Sequence, residues 1–209
     1  MRNVQVVPKQ KQIIEVILLL LFIFCCLFLL IYPDKITKID SPILAWVQET
    51  FSFIPKQIPI FISDFGYEMY MLPQLFIAAI FLIKIKRIRE FILLFLFAEL
   101  SYLIVLIIKN IVHRPRPDII YQKILETGYS FPSGHSCVNM FFYATVIFIL
   151  NKIIKNENIK ILTNILCITI ILAVGFSRIY LGVHYFTDIV GGYILGFLLA
   201  YLYRLSWKD

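Results

Sequence analysis

Long apolar runs are the feature that most restricts the fold of this chain. They span residues 13–32, 69–83, 91–108, 136–150, 161–176 and 185–203. A helix that crosses the hydrocarbon core of a bilayer needs about 20 mostly apolar residues. Hydrophobic residues make up 60% and charged residues 16% of the chain, whereas soluble domains contain about half and about a quarter. The pattern predicts an all-α, polytopic membrane protein with six transmembrane helices in one bundle.

The whole chain, residues 1–209, is expected to form one domain. The first run is long and no small-residue cleavage site follows it, so we interpret it as a retained helix and not as a signal peptide. After this run, Ser41 and Pro42 are typical of a helix start. The apolar face that follows predicts a short amphipathic helix at the membrane interface near 41–52. An ordinary loop helix packed on the bundle fits the same pattern.

Basic residues give the chain a net charge of +7 and predict its orientation. They cluster between apolar runs and do not form one patch, which favours cytoplasmic membrane loops over nucleic-acid binding. The N-terminus, the 84–90 loop, the 152–160 loop and the C-terminus are all basic. Alternation of six helices puts all four on the cytoplasmic side. The 109–134 segment is also basic but falls outside, so its cations are expected to have a local task.

Small and polar residues inside the runs predict how the helices pack. Glu99 and Ser101 lie within the third run and are expected to face protein, because polar groups facing lipid are costly. Gly192 and Gly196 form a small-xxx-small pair in the last run. This pair predicts close helix packing, either within the bundle or across a homodimer.

Three short polar clusters stand at the outer ends of the predicted helices. Ionisable groups beside a bilayer core are costly unless they are paired or hydrated, so they are functional candidates. The clusters are Lys109 with Arg116-Pro117, Pro132-Ser133-Gly134-His135, and Ser177-Arg178 with His184 and Asp188. The predicted topology brings all three to one membrane depth, although they lie far apart along the chain.

The residue types in these clusters are those of a phosphate-transfer site. His184 and Asp188 are four residues apart, a spacing that shares a helix face. A carboxylate on one ring nitrogen leaves the other nitrogen free to act as a nucleophile. Lys109, Arg116 and Arg178 supply three cations, and positioned cations stabilise the charge on a phosphoryl group in transfer.

The Pro132–His135 motif adds an anion-binding helix start. Gly134 permits close backbone approach, and the amides at a helix N-terminus bind anions. His135 is then free to protonate a leaving oxygen. Two histidines and one aspartate also fit a facial metal set, but three cations in the same place oppose a divalent ion. The four cysteines lie within apolar runs and lack zinc-type spacing, so no metal site is expected.

Together, the clusters resemble the signature of the type 2 phosphatidic acid phosphatase superfamily. Its three parts are K-x6-R-P, P-S-G-H and S-R-x5-H-x3-D. They match Lys109 to Pro117, Pro132 to His135 and Ser177 to Asp188 at every signature position. The matched residues cover the third to the sixth predicted helices, and the helix count extends the resemblance to the whole chain.

The resemblance implies a role for each matched residue. His184 attacks phosphorus and forms a phosphohistidine, Asp188 orients and polarises it, and His135 protonates the leaving group. The phosphate oxygens are held by Lys109, Arg116, Arg178, Ser133 and Gly134. No metal or other cofactor is implied. Arg114 also precedes a proline, but its spacing from the motif lysine does not fit, so Arg114 and His113 either help to bind a headgroup or face water.

The resemblance also implies a substrate class and a location. It indicates an enzyme of the bacterial cytoplasmic membrane that removes phosphate from a phosphorylated membrane lipid, with its site on the extracytoplasmic side. Undecaprenyl pyrophosphate and phosphatidylglycerophosphate are favoured, with phosphatidic acid and lipid A phosphates as alternatives. Phosphotransfer to a lipid or sugar hydroxyl needs the same motifs. Vanadate-dependent peroxidases share this anion site but are soluble, and a lipid-binding or transport protein would not need the His184, Asp188 and His135 set.

Overall fold

The computed structural model describes residues 9–66 and 68–207, and its regular structure is helical. The helices are α1 Lys9–Ile31, α2 Pro33–Thr50, α3 Gln57–Asp64, α4 Glu68–Lys84, α5 Ile88–Val112, a short 3-10 helix Ile119–Tyr121, α6 Gly134–Ile153, α7 Glu157–Tyr180 and α8 Phe186–Ser206. No strand occurs in these two described ranges. The all-α prediction is therefore confirmed. Two cations used to predict the orientation, Arg2 and Lys208, lie outside the described residues.

Each of the six predicted spans falls on an α-helix: no span extends past its helix by more than one residue, and the helices are up to four residues longer at an end. Helices α5 to α8 are long and apolar enough to cross a membrane. Helices α1 and α2 add a fifth candidate if this pair, bent by 102°, forms one span. The apolar part of α4, Met71–Lys84, is shorter. The described residues thus contain four or five candidate spans, and the count of six stays a prediction.

The amphipathic helix predicted near 41–52 exists, but its predicted start is wrong. Helix α2 begins at Pro33, which occupies the first turn, and Pro42 lies inside the helix. Proline costs nothing at the first helical position, where its missing N–H would have no partner. The buried face contains Leu44 and Val47, as the pattern predicted, and also the carboxylate of Asp40.

Helices α6 and α8 form the centre of the bundle. More than half of the apolar window of each is buried, against 22% for α5 and α7, which present apolar faces outward. Within α5, Ser101 is buried and its hydroxyl donates to the carbonyl of Ala98 at 2.6 Å. Glu99 is exposed. The expectation that both residues face protein is therefore right for Ser101 and wrong for Glu99, because the two lie on different faces of α5.

The glycine pair of α8 lies against α6 in the same chain. A Cβ added to Gly196 would stand 2.3 Å from the carbonyl oxygen of Cys137, and one added to Gly192 would stand 2.6 Å from the carbonyl oxygen of Ser133. Since these contacts are with backbone, no side-chain movement relieves them. The pair therefore sets the close approach of α8 to α6, as expected for packing within the bundle.

This arrangement brings four helix ends together. Helices α5 and α7 end, and α6 and α8 begin, at the same end of the bundle. Helices α2 and α3 cover this end, where Leu44 and Val47 pack with Leu181 and Val183 in a second apolar cluster. Gln48 fixes α2 to this end of the bundle, because its side-chain amide donates to the carbonyls of Tyr121 at 2.7 Å and of Tyr180 at 3.0 Å.

We predict that Gly196→Val destabilises the bundle, because the new side chain has no room against the backbone of α6. Overpacking typically costs about 1–3 kcal/mol, so the thermal unfolding midpoint in detergent should fall by several degrees. Ala45→Val also introduces a valine, at an exposed position of α2, and serves as the control. Equal midpoints for the two variants would contradict the assigned helix contact.

Candidate active site

The three polar clusters meet at this end of the bundle. Lys109 lies in the last turn of α5, His135 in the first turn of α6, and Arg178 in the last turn of α7. His184 lies in the short loop before α8, and Asp188 in the first turn of α8. The convergence expected from topology alone is present in the structure.

His184 and Asp188 form the centre of the site. The Nδ1 atom of His184 lies 3.4 Å from Oδ2 of Asp188, and its Nε2 lies 3.2 Å from Nη1 of Arg116. Both side chains are almost completely buried. Donation from Nδ1 to the carboxylate leaves the Nε2 lone pair directed at the cationic side of the site. The pair thus has the nucleophile–orienter geometry of a triad.

The local structure differs from the expected one, in which both residues of the pair lie on a helix. Only Asp188 is helical; it is the third residue of α8 and accepts a hydrogen bond from the backbone N–H of Tyr185 at 2.9 Å. This interaction closes a capping box at the helix start. One carboxylate therefore fixes the N-terminus of α8 and faces the ring of His184.

His184 is held in its neutral form. Burial, together with the positive charges of Arg116 and Arg178, lowers the pKa of His184 well below its usual range. A histidine with a lowered pKa loses its proton as the pH rises through that lower value, so at neutral pH the ring carries no charge. The imidazole is then available as a nucleophile without prior deprotonation.

Two arginines form a clamp that holds an anion. The carboxylate of Glu126 receives Nη2 of Arg178 at 2.5 Å and Nη2 of Arg116 at 3.3 Å. Arg116 also donates to the carbonyl of Val183 at 2.8 Å, and Arg178 to the hydroxyl of Ser63 at 2.6 Å. Two guanidinium groups that share one carboxylate are placed to share the oxygens of a phosphoryl group, since both anions suit bidentate donors.

The other predicted phosphate ligands lie around this clamp. Lys109 donates through Nζ to the carbonyl of Tyr129 at 2.5 Å. The hydroxyl of Ser133 caps α6, accepting from the backbone N–H of Ser136 at 3.3 Å. Gly134 is the first residue of α6. Ser133 thus has a structural task, while Gly134 offers one of the amides with no partner inside the helix.

His135 lines a cavity of about 190 Å³ together with Ser63, Asp64, Glu126 and Arg178. The cavity therefore brings the second motif histidine, the bridging carboxylate and one arginine of the clamp to a common space. In this position His135 can reach a leaving group that is bound against the clamp.

Sequence analysis missed the role of Arg114. The structure buries its guanidinium, which donates through Nη1 to Oδ1 of Asp188 at 2.5 Å and through Nη2 to Oδ2 of Asp40 at 2.6 Å. The hydroxyl of Thr187 joins the same network, accepting from Arg114 at 2.7 Å. The alternatives of headgroup binding or water contact for Arg114 are therefore wrong. His113 is exposed and packs edge-on against Tyr129, in agreement with water contact.

Asp40 and Glu126 also escaped sequence analysis. The charged residue on an otherwise apolar face of α2 was the available signal for Asp40, which is fully buried. No local pattern marks Glu126, since only the fold brings it to the clamp. In the described part of the chain, no group of three or more His, Cys, Asp or Glu side chains has the arrangement of a metal site.

Comparison with known proteins agrees with these features. The family model of the PAP2 superfamily matches residues 90–209. This chain belongs to the PAP2 superfamily. The matched PAP2 region contains all three signature motifs, whereas Asp40 lies before it.

A similar sequence and a similar crystal structure come from Bacillus subtilis. Phosphatidylglycerophosphatase B of strain 168 is 31% identical over 144 residues, which cover 68% of this chain and 70% of that protein. The crystal structure of a transmembrane PAP2-type phosphatidylglycerolphosphate phosphatase is 26% identical, with a TM-score of 0.81 over 92% of this chain and 94% of that one. Aquifex aeolicus LpxE has a TM-score of 0.58 at 21% identity, over 81% of this chain and 96% of that one, and shares the fold.

We predict that Arg114→Gln destabilises the protein and slows the reaction that the site supports, because it leaves two buried carboxylates without a cation. Removing one partner of a buried ion pair typically costs about 3–5 kcal/mol. Thermal unfolding in detergent measures the loss, with His113→Ala as the exposed neighbouring control.

A double-mutant cycle identifies the cause. Asp40→Asn removes one of the two stranded charges, so Arg114→Gln with Asp40→Asn should lose less stability than the sum of the single losses. Strict additivity would show that Arg114 and Asp40 do not act as a pair.

Proposed function

We propose that this protein is an integral-membrane phosphatase that hydrolyses a phosphate group from a membrane lipid through a phosphohistidine on His184. The observation that carries the proposal is the placement of the His184 ring, with Asp188 beside one nitrogen and Arg116 of the clamp beside the other. Membership of the PAP2 superfamily supports the same reaction class.

In the first step, Nε2 of His184 attacks phosphorus while the bond to the lipid oxygen breaks. Arg116, Arg178 and Lys109 hold the equatorial oxygens, which carry the charge of the transition state. The entering phosphate displaces the Glu126 carboxylate from the two guanidinium groups. His135 gives a proton to the departing oxygen, and Asp188 stabilises the positive charge on the imidazole.

In the second step, water attacks the phosphohistidine and the phosphorus–nitrogen bond breaks. His135, now neutral, accepts a proton from this water, as microscopic reversibility requires of a group that served as acid. Inorganic phosphate leaves, and His184 returns to its neutral form. No step requires a metal ion, because the cations of the clamp provide the charge stabilisation.

Phosphatidylglycerophosphate is the favoured substrate. The support is the similarity over two thirds of the chain to a protein named phosphatidylglycerophosphatase B. Undecaprenyl pyrophosphate is the second candidate, because its terminal phosphate offers the clamp the same oxygens and its leaving group is a better one. Lipid A phosphate hydrolysis and transfer to a hydroxyl acceptor remain alternatives that use the same residues.

We also propose that the site faces the extracytoplasmic side of a bacterial cytoplasmic membrane. The basic segments at 84–90 and 152–160 lie at the opposite end of the bundle from His184. Under the positive-inside rule, that opposite end is cytoplasmic. Both termini are then cytoplasmic, and the phosphate of an outer-leaflet lipid meets the clamp at headgroup level.

We predict that His184→Ala lowers phosphate release by roughly a thousandfold or more, since loss of a covalent nucleophile removes the reaction path. The assay measures inorganic phosphate released from a panel containing phosphatidylglycerophosphate, undecaprenyl pyrophosphate, phosphatidic acid and a lipid A phosphate. His113 is the remaining histidine of the chain and has no assigned role in the reaction. His113→Ala is therefore the matched control and should retain activity. Near-normal turnover by a folded His184→Ala protein would rule out the mechanism.

The same assay separates hydrolysis from transfer. Purified protein in detergent, without an added acceptor, should release free phosphate from its preferred lipid. If the lipid loses its phosphate only when a lipid or sugar hydroxyl is supplied, and the phosphate is then found on that acceptor, the protein is a phosphotransferase and the hydrolysis proposal fails.

We predict that activity persists in excess chelator, because arginine and lysine side chains supply the positive charge at the site. Phosphate release is measured before and after incubation with EDTA, at constant ionic strength. A loss of activity that added divalent metal restores would contradict the metal-independent mechanism.

A further inference from the structure

A second cationic pocket lies at the end of the bundle opposite His184. Two adjoining cavities, of about 370 and 320 Å³, share Lys152 and Trp207 in their walls. Arg204 lines the larger cavity and Arg87 the smaller. Among the described residues, the walls of this basic pocket contain three cations. The nearby carboxylate of Glu90 pairs with Arg87 at 3.4 Å.

Aromatic rings position these cations. The ring centroid of Trp207 lies 5.4 Å from Cζ of Arg87 and 5.5 Å from Nζ of Lys152. Cζ of Arg204 lies 5.1 Å from the ring centroid of Phe148. Tryptophan beside basic residues is typical of the membrane–water interface. Since α6 has 20 residues and rises about 1.5 Å per residue, this pocket lies about a bilayer thickness from the catalytic cluster.

The wall of the basic pocket also contains a hydrogen-bond acceptor that has no donor among the described residues. The side-chain oxygen of Asn151, in the wall of the larger cavity, is buried and has no hydrogen-bond partner among the described residues. A buried acceptor of this kind is costly unless a ligand or water satisfies it. The hydroxyls of a glycerol headgroup are donors of the required type.

An apolar groove of about 320 Å³ runs between α4 and α6 and adjoins the basic pocket. Phe81 and Ile149 line the groove, and Ile85 and Ile153, each four residues further on, line the pocket. Ile149 and Ile153 are four residues apart on α6 and share a face. Ile85 directly follows α4, and its N–H donates to the carbonyl of Phe81 at 3.2 Å, so the basic pocket continues the groove along both elements. The far end of the groove holds the hydrogen bond from Tyr143 to Gln74, at 2.9 Å.

We propose that the basic pocket and the apolar groove bind one anionic phospholipid of the leaflet opposite the catalytic site. Its phosphate lies among Arg87, Lys152 and Trp207, and one acyl chain lies in the groove between α4 and α6. A zwitterionic lipid brings its own cation to the phosphate and gains less from these side chains. Basic pockets between membrane helices are sites for anionic headgroups on general electrostatic grounds. This site is separate from the catalytic one and does not depend on the proposed reaction.

Native mass spectrometry of the full chain, titrated with dioleoylphosphatidylglycerol or dioleoylphosphatidylcholine, tests the headgroup site. Phosphatidylglycerol should bind more tightly than phosphatidylcholine. Lys152→Gln should weaken phosphatidylglycerol binding about fivefold, the factor expected for one cation at a membrane surface. Lys155→Gln removes the same charge from an exposed neighbouring position outside the pocket walls and should leave binding unchanged. Equal effects of the two variants, or equal binding of the two lipids, would overturn the proposal.

Two further variants locate the bound lipid. Ala78→Phe fills the groove and should displace the acyl chain, whereas Ile80→Phe points away from the groove and should not. Lys109→Gln, at the catalytic end, should leave the binding of this lipid intact. If phosphatidylglycerol binding responds to Lys109→Gln and not to Lys152→Gln, the lipid occupies the catalytic site and the proposal is wrong. Because Lys152 is exposed, that comparison holds even if Ala78→Phe fails to fold.

Discussion

The buried carboxylate of Asp188 is the point on which the rest of the site depends. It caps α8, faces the ring of His184 and receives the guanidinium of Arg114, which in turn reaches Asp40 on α2. Removing these charges from water is costly, and the cost is offset only when every partner is in place. The orientation of His184, the proposed nucleophile, is therefore linked to the docking of α2, which precedes the region matched by the family model.

Close packing of α6 on α8 fixes the positions of His135 and His184 relative to each other. The backbone N–H of Ser133 donates to the carbonyl of Asp188 at 3.0 Å, so the start of α6 is bonded directly to the first turn of α8. Gly192 lies one turn further along and leaves no space for a side chain between the helices. His135 and Asp188, the proposed general acid and orienting carboxylate, are thus built on rigid elements, which position functional groups more accurately than loops do.

The sequence predicts the helices and the meeting of the three motifs at one end of the bundle, because both follow from local signals. Apolar runs mark helix ends, and alternation across a membrane carries distant motifs to one side. The pairing of Arg114 with Asp40 and of Glu126 with two arginines escapes such reasoning, since these contacts are set by tertiary packing. Pro42 shows the same limit in a smaller way: it has the sequence context of a helix start, but Pro33 supplies a start earlier and the helix continues past the second proline.

The carboxylate of Glu126 occupies the arginine clamp in the way that a bound anion would. Glu126 lies in the loop between α5 and α6, so its effective concentration at Arg116 and Arg178 is high. An anion from solution must bind the two arginines more strongly in order to replace it. A metabolite with one carboxylate has the same charge and the same geometry as Glu126, so it has no advantage in replacing Glu126 at the clamp. A phosphate monoester brings up to two charges and three oxygens. For the proposed phosphatase, Glu126 is therefore an internal competitor that the phosphate group of a substrate must displace.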